Sequence, residues 1–377
     1  GLSGSIGDLT PRRVQTDPQV VSVVPDRVVS AIAQPDGALG KPSGGGGTTG
    51  QVVPVGVSRI GAAPGALSVN GAGVGVAIVD TGIDIVHSDL TPVKPGFSAF
   101  GGSAQDDNGH GTHVAGTVAA RANSTGVVGV APGATLYPVK VLDASGSGSD
   151  ASVIAGLEWV AANASAIQVV NMSLGRQGTL DDQPALRAAI QTLTGAGVSV
   201  VVAAGNSATL EVSQQVPATY PEVIAVASTT AANGKKNRSG FQIARDTASY
   251  FTTDGAFDLG TGIGVTVSAP GEDQEDVNNG FLIQSVGILS TRLDGGTTRK
   301  SGTSMAAPHT TGVVALLWQQ AIQGGGTVNP EIARAKIRAG ADRANTAPLD
   351  SPTSTYTYDG QREGVLSAPG ALNVTLP

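Results

Sequence analysis

Runs of Val, Ile and Ala that alternate with helical stretches predict an α/β fold of three layers, with a mostly parallel central sheet flanked by helices. Three observations carry this reading. The apolar runs are nearly continuous rather than alternating, as strands buried on both faces require. Helical patterns separate them in the order β-α-β-α. Several runs also end on polar residues, and in such sheets the site forms at the carboxyl ends of the strands.

The expected strands are Gly73–Asp80, Ala134–Leu142, Gln168–Leu174, Val198–Gly205 and Glu222–Ser228. Helices are expected over His110–Ala120, Asp150–Ala164 and Gln183–Gly197, with a further apolar helix running through Val313–Trp318. Ahead of this domain, residues 1–34 are moderately polar around a strand-like stretch at Val20–Val29. Residues 35–50 are rich in Gly, Ser and Thr and read as a flexible linker. Residues 51–377 form one long domain.

Composition narrows the function. Of 377 residues, 40% are hydrophobic and 14% charged, with a formal net charge of −7. No basic patch stands out to neutralise phosphates, which argues against a nucleic-acid partner. No apolar run reaches the roughly 18–20 residues that span a bilayer. The absence of cysteine excludes disulfides, thiolate metal sites and cysteine nucleophiles. The first residues lack the charged-then-apolar pattern of a signal peptide, so a secreted protein would carry that segment outside this sequence.

Three motifs bear on chemistry. Asp80 closes a strand in AIVDTGID, His110 opens a helix in NGHGTHVAGT, and Ser304 lies in SGTSMAAPH ahead of a helix. Singly, each has an ordinary reading as a strand-end turn, a surface histidine or a helix cap. Together, in the order Asp, His, Ser, and with Asn206 closing VVVAAGN, they resemble the subtilase (subtilisin-like) family over nearly all of Gln51–Leu372.

The resemblance implies a serine endopeptidase of broad specificity with a subtilisin-like fold. Ser304 would be the nucleophile, His110 its general base and Asp80 the residue that orients the imidazole. Asn206 and the Ser304 N–H would form the oxyanion hole. Substrate would add as a strand between Ser145, Gly146, Ser147 and Gly148 on one side and Ser173, Leu174 and Gly175 on the other. Ser173–Gly175 and Ala203, Ala204 and Gly205 would wall a roomy pocket for apolar side chains, with Gln215 or Val216 at its base. An inactive scaffold that uses the groove only for binding is the alternative, and an intact triad argues against it. His110 and His113 also form an H-x-x-H pair, but H-E-x-x-H is absent, so His113, His87 and His309 are expected to be structural.

The same resemblance implies structural calcium. Its expected ligands are Gln51, Asp89, Asn123 and the carbonyls of Arg121, Thr125 and Val127, an all-oxygen set suited to a hard cation. The carbonyls of Ala218, Tyr220 and Val223 are candidates for a weaker cation site. Residues 1–34 resemble the end of the family's inhibitory propeptide, with a cut expected near Ile32–Ala33. The family also implies secretion, a zymogen stage, protein and peptide substrates, and a monomer. The chain departs from compact subtilisins by excess length around Gly240–Gly264 and Glu272–Gly296. The acidic stretch GEDQEDVNNG within the second of these is expected to be a solvated loop.

Overall fold

The computed structural model describes residues 23–32, 50–90, 93–280, 282–326, 328–352 and 359–376. The expectations for residues 1–22, and for the linker up to residue 49, lie outside them. In chain order the elements begin with β1 (Val28–Ala31), α1 (Val55–Arg59), β2 (Gly75–Asp80), β3 (Phe97–Ser98), α2 (His110–Ala119), β4 (Thr135–Lys140), β5 (Ser147–Ser149) and α3 (Asp150–Ala162). Then come β6 (Val169–Met172), β7 (Leu174–Gln177), α4 (Pro184–Gly195), β8 (Ser199–Ala203), β9 (Gln215–Val216), β10 (Ile224–Thr230), β11 (Val267–Val277), β12 (Ile283–Thr291), β13 (Thr297–Lys300), α5 (Thr303–Gln323), α6 (Pro330–Gly340) and α7 (Ala368–Asn373).

A nine-stranded sheet in the order β13-β12-β11-β10-β8-β6-β2-β4-β3 forms the middle layer. It is parallel from β3 to β11, and β12 and β13 continue it antiparallel. Along β2, Val76 and Ile78 join one core with Val114, Val118, Val313 and Leu316 from α2 and α5. Ala77 and Val79 join the other with Val153, Leu157, Leu186 and Ile190 from α3 and α4. This period-two division between two buried faces is why the runs are continuous rather than alternating. Among the described residues no helix is long and apolar enough to cross a membrane.

Two expectations change. The run Gln168–Leu174 is not one strand: it breaks at Ser173 into β6, inside the large sheet, and β7, which joins a second sheet of order β5-β1-β7-β9. The acidic stretch after Pro270 is not a solvated loop but the outer half of β11, paired antiparallel with β12. Glu272 and Glu275 are fully buried there, and burial raises both carboxyl groups above the usual range, most strongly Glu272.

Candidate active site

Asp80 ends β2 at the carboxyl edge of the sheet, fully buried. Its Oδ1 accepts the Thr81 N–H at 2.7 Å. His110 is the first residue of α2, and its Nδ1 lies 2.8 Å from Asp80 Oδ1 and 3.0 Å from Oδ2. The helix reaches the strand end because Gly111 carries no side chain: a Cβ there would lie 2.1 Å from the Gly82 carbonyl oxygen. Asp106 fixes the entry to α2. It accepts the N–H groups of Asn108, Gly109 and Thr112 and the hydroxyls of Thr81 and Thr112.

Ser304 is the second residue of α5, buried. Its hydroxyl donates to the Ser173 carbonyl at 3.0 Å, while His110 Nε2 has no hydrogen-bond partner among the described residues. Asn206 follows β8. Its Oδ1 accepts the N–H and the hydroxyl of Thr303, each at 2.9 Å, which turns its Nδ2 outward. That Nδ2 and the Ser304 N–H both donate to one oxygen, the carbonyl of Ile32, at 3.2 and 3.4 Å.

Ile32 is held there by strand addition. β1 lies antiparallel between β5 and β7, pairing Val28, Val29 and Ser30 with Ser149, Gly148 and Ser147, and Ser30 and Ala31 with Gly175 and Leu174. Ala31 N–H donates to the Gly146 carbonyl at 2.9 Å, and Ile32 N–H to that of Ser173 at 3.2 Å. Both expected edge segments therefore meet on one strand of the chain itself, although Ser145 stays outside the ladder, bonded to Asp143. The Ile32 side chain packs over Gly175, where an added Cβ would lie 2.9 Å from Ile32 Cδ1. Beside it opens a cavity of about 270 Å³ lined by Gly175, Gly205, Leu210 and Gln215. Ala203 and Ala204 lie behind this lining, buried in the two cores.

Farther up the same strand, Val29 is buried in the second core. Arg27 O accepts the Asp150 N–H at 3.0 Å, and Asp26 Oδ1 accepts the Ala151 N–H at 2.9 Å. The chain is thus engaged from Asp26 through Ile32.

The expected calcium ligands also converge. Gln51 Nε2 lies 2.5 Å from Arg121 O, 3.5 Å from Asn123 Oδ1, 3.3 Å from Thr125 O and 3.1 Å from Val127 O. An amide nitrogen has two hydrogens, so it cannot satisfy four acceptors, whereas a cation can. Asp89 is adjacent: its Oδ1 accepts Asn123 Nδ2 at 3.0 Å and its Oδ2 accepts the Val127 N–H at 2.9 Å. The donor set fits a hard cation. Among the described residues no three Asp, Glu or His side chains converge as a metal cluster, so such a site rests on carbonyls. Ala218, Tyr220 and Val223 are buried, and the Tyr220 carbonyl accepts the Val223 N–H at 3.3 Å.

The remaining histidines are structural, as expected. His113 Nε2 bonds the Ile288 carbonyl at 2.9 Å, and burial lowers its pKa to about 3. His309 Nδ1 bonds the Met305 carbonyl at 2.8 Å, and burial lowers its pKa to about 4. His87 Nε2 lies 3.2 Å from the Gly296 carbonyl. Sequence reasoning missed Thr303 and Asp106. Asp106 had a signal, a carboxylate two and three residues ahead of N–H groups in a turn. Thr303 had none, because its partner Asn206 is distant in sequence.

Comparison with known proteins agrees with this geometry. The profile of the subtilase family matches residues 71–364. M-protease of Shouchella clausii (strain KSM-K16) is 40% identical over 77% of this chain and 64% of its own length. Subtilisin Savinase of Lederbergia lenta is 40% identical over 81% of this chain and 95% of that protein. The crystal structure of a cold adapted subtilisin-like serine proteinase superposes with a TM-score of 0.60 at 30% identity, covering 80% of this chain and 90% of that one. With its profile, its relatives and its fold in agreement, this chain belongs to the subtilase family and is a subtilisin-type serine peptidase.

Proposed function

We propose that the chain is an endopeptidase that cleaves proteins through an acyl-enzyme on Ser304, with Asp80, His110 and Asn206 as its catalytic partners. The observation that carries this is the Ile32 carbonyl, which takes hydrogen bonds from Asn206 Nδ2 and the Ser304 N–H, at the same carboxyl edge of the sheet as the Asp80–His110 pair. In catalysis the Ser304 hydroxyl would leave Ser173 and give its proton to His110 Nε2 as Oγ attacks the carbonyl carbon. His110 would then protonate the leaving amine, with Asp80 holding the tautomer through Nδ1. The oxyanion formed would take the hydrogen bonds from Asn206 and the Ser304 N–H.

Under this reading β1 is bound as the acyl side of a substrate, so residues 1–32 are the propeptide-like segment and the processed bond follows Ile32. The apolar Ile32 over Gly175 supports a preference for apolar side chains before the scissile bond. Gln51, Asp89, Asn123 and the carbonyls of Arg121, Thr125 and Val127 would hold a calcium ion, which supplies structural cross-linking where disulfides are absent. Secretion follows by analogy with the relatives. The alternative of an inactive scaffold is disfavoured because a binding groove alone does not need a buried imidazole held by Asp80 through Nδ1 with its Nε2 left without a partner among the described residues. A fluorophosphonate or sulfonyl fluoride tests the proposal: covalent labelling at Ser304, lost in Ser304→Ala, is expected. Amino-terminal sequencing of active enzyme tests the cut. A start at Ala33 is expected, a start at Thr48–Gln51 moves it into the linker, and an active chain still beginning at Gly1 refutes processing.

A further inference from the structure

Beyond the residues that contact the cleaved bond, the groove carries a charged seat far from it. Arg27 is the sixth residue on the amino side, counting Ile32 as the first. Its Nη1 lies 2.7 Å from Asp182 Oδ2, on the turn that precedes α4. Three features make this turn a prepared seat. Thr179 holds the Asp182 carboxylate through its N–H at 3.1 Å and its hydroxyl at 3.2 Å. Arg176, the nearest other cation, is committed elsewhere: it grips buried Asp150 with two nitrogens at 3.0 and 2.9 Å and stands 3.7 Å from Asp182. The triad Asp150–Arg176–Asp182 therefore keeps one surplus negative charge, and it faces the incoming strand. The Asp150 N–H bonds the Arg27 carbonyl and the Val28–Ser149 pairing follows directly, while the Ala151 N–H holds the Asp26 side chain through Oδ1, so the sixth residue is fixed in register and its side chain is turned toward Asp182.

We propose that Asp182 is a specificity-determining residue that selects substrates with Arg or Lys six residues before the cleaved bond. The inference rests on the reading of Ile32 as the residue before that bond. It gives the groove a preference for one charge at one distant position. Arg27 is about two-fifths exposed, so the pair acts through a partly screened Coulomb attraction. A several-fold effect is expected rather than an absolute requirement.

The test uses internally quenched peptides built on residues 26–32, Asp-Xaa-Val-Val-Ser-Ala-Ile, followed by three further residues, with Xaa as Arg, Gln or Glu. The purified enzyme should cleave after Ile, with kcat/KM for Arg about threefold above Gln and roughly tenfold above Glu in low salt. Raising ionic strength to about 1 M, where the screening length falls to about 3 Å, should flatten the series. Asp182→Asn should abolish the ranking, and Asp182→Lys should reverse it. Only ratios within one enzyme are compared, so a loss of folded protein does not alter the answer. A wild-type ratio near one, or the same ratio in Asp182→Asn, overturns the subsite alone. Cleavage at a bond other than that after Ile overturns both the subsite and the register on which it rests.

Discussion

Replacing Asn206 with Leu separates what the proposed oxyanion hole does for a bound carbonyl from what it would do in the transition state. In the ground state seen with Ile32, the two donors stand 3.2 and 3.4 Å from the oxygen. Both exceed the 2.7–3.1 Å at which an oxyanion is best held. A neutral bond of that length contributes about 0.5–1 kcal/mol net, or a two- to fivefold change in binding. When the carbon becomes tetrahedral the oxygen gains charge and moves toward the donors. Loss of one such donor in a subtilisin, a relative of this chain, costs about 10²–10³ in turnover. Asn206→Leu should therefore lower kcat by about two to three orders of magnitude, and weaken inhibition by a peptide of residues 23–32 no more than about fivefold. Steady-state kinetics and the inhibition constant of that peptide are the assays. Equal losses in both would mean that Asn206 binds ground state and transition state alike, which refutes the reasoning.

Chelation should lower Tm and hasten autolysis, since calcium at a thousandfold excess over Kd adds about 4 kcal/mol to the folded state. Asp89→Asn should shrink that response, and equal Tm in EDTA and in millimolar calcium rejects the cation site. Burial raises Glu272, so its contribution is present below the usual glutamate range and is lost as pH climbs through the higher folded value, by about 1.4 kcal/mol for each pH unit between the two. Glu275, Asp273 and Tyr250 face it, and none supplies a positive charge. Glu272→Gln should thus gain in Tm over the wild type from pH 5 to pH 9, and a constant difference sinks this account. Gly175→Ala places a Cβ 2.9 Å from Ile32 Cδ1 and equally close to the Val216 carbonyl. The kcat/KM ratio of Ile over Ala before the cleaved bond should fall about tenfold, as overpacking of 1–3 kcal/mol implies, and an unchanged ratio denies that Gly175 sets the width.

What could be read in advance follows from where the information sits. The parallel strands were legible because burial on both faces forces an unbroken apolar run, and Asp80 and Asn206 were legible because they interrupt such runs at one edge. The β11 hairpin was not. Its string of Glu and Asp reads as solvated only if those groups keep their charge, and Glu272 and Glu275 avoid that cost by burial with raised pKa values. The break at Ser173 was hidden for a different reason. Hydropathy is continuous through it, but its carbonyl must accept both the Ser304 hydroxyl and the Ile32 N–H, so the backbone has to leave the sheet there. Thr303 and Asp182 act through partners brought close only by the fold, and no local pattern announces either.

The position of β1 also bears on how one segment could both block the site and release it. Its hold consists of the bonds to Gly146, Ser173, Asp150 and Ala151, the ladders with β5 and β7, the burial of Val29, the packing of Ile32 over Gly175, the contacts of the Ile32 carbonyl with Asn206 and Ser304, and the exposed Arg27 pair. Each is modest, about 0.5–1.5 kcal/mol net for a backbone bond, and the ordering of the strand offsets part of the sum. While Ile32 remains covalently joined to the rest of the chain, its binding is intramolecular, so even modest affinity fills the groove. The proposed cut after Ile32 would remove that advantage while leaving the strand ladders in place. The strand would then compete as a free ligand with protein substrate, and dilution would clear the site. If the proposed cut after Ile32 is right, a groove of repeated backbone contacts would suit both roles: such contacts accept many sequences, and they would hold the chain's own segment firmly only while the chain is whole.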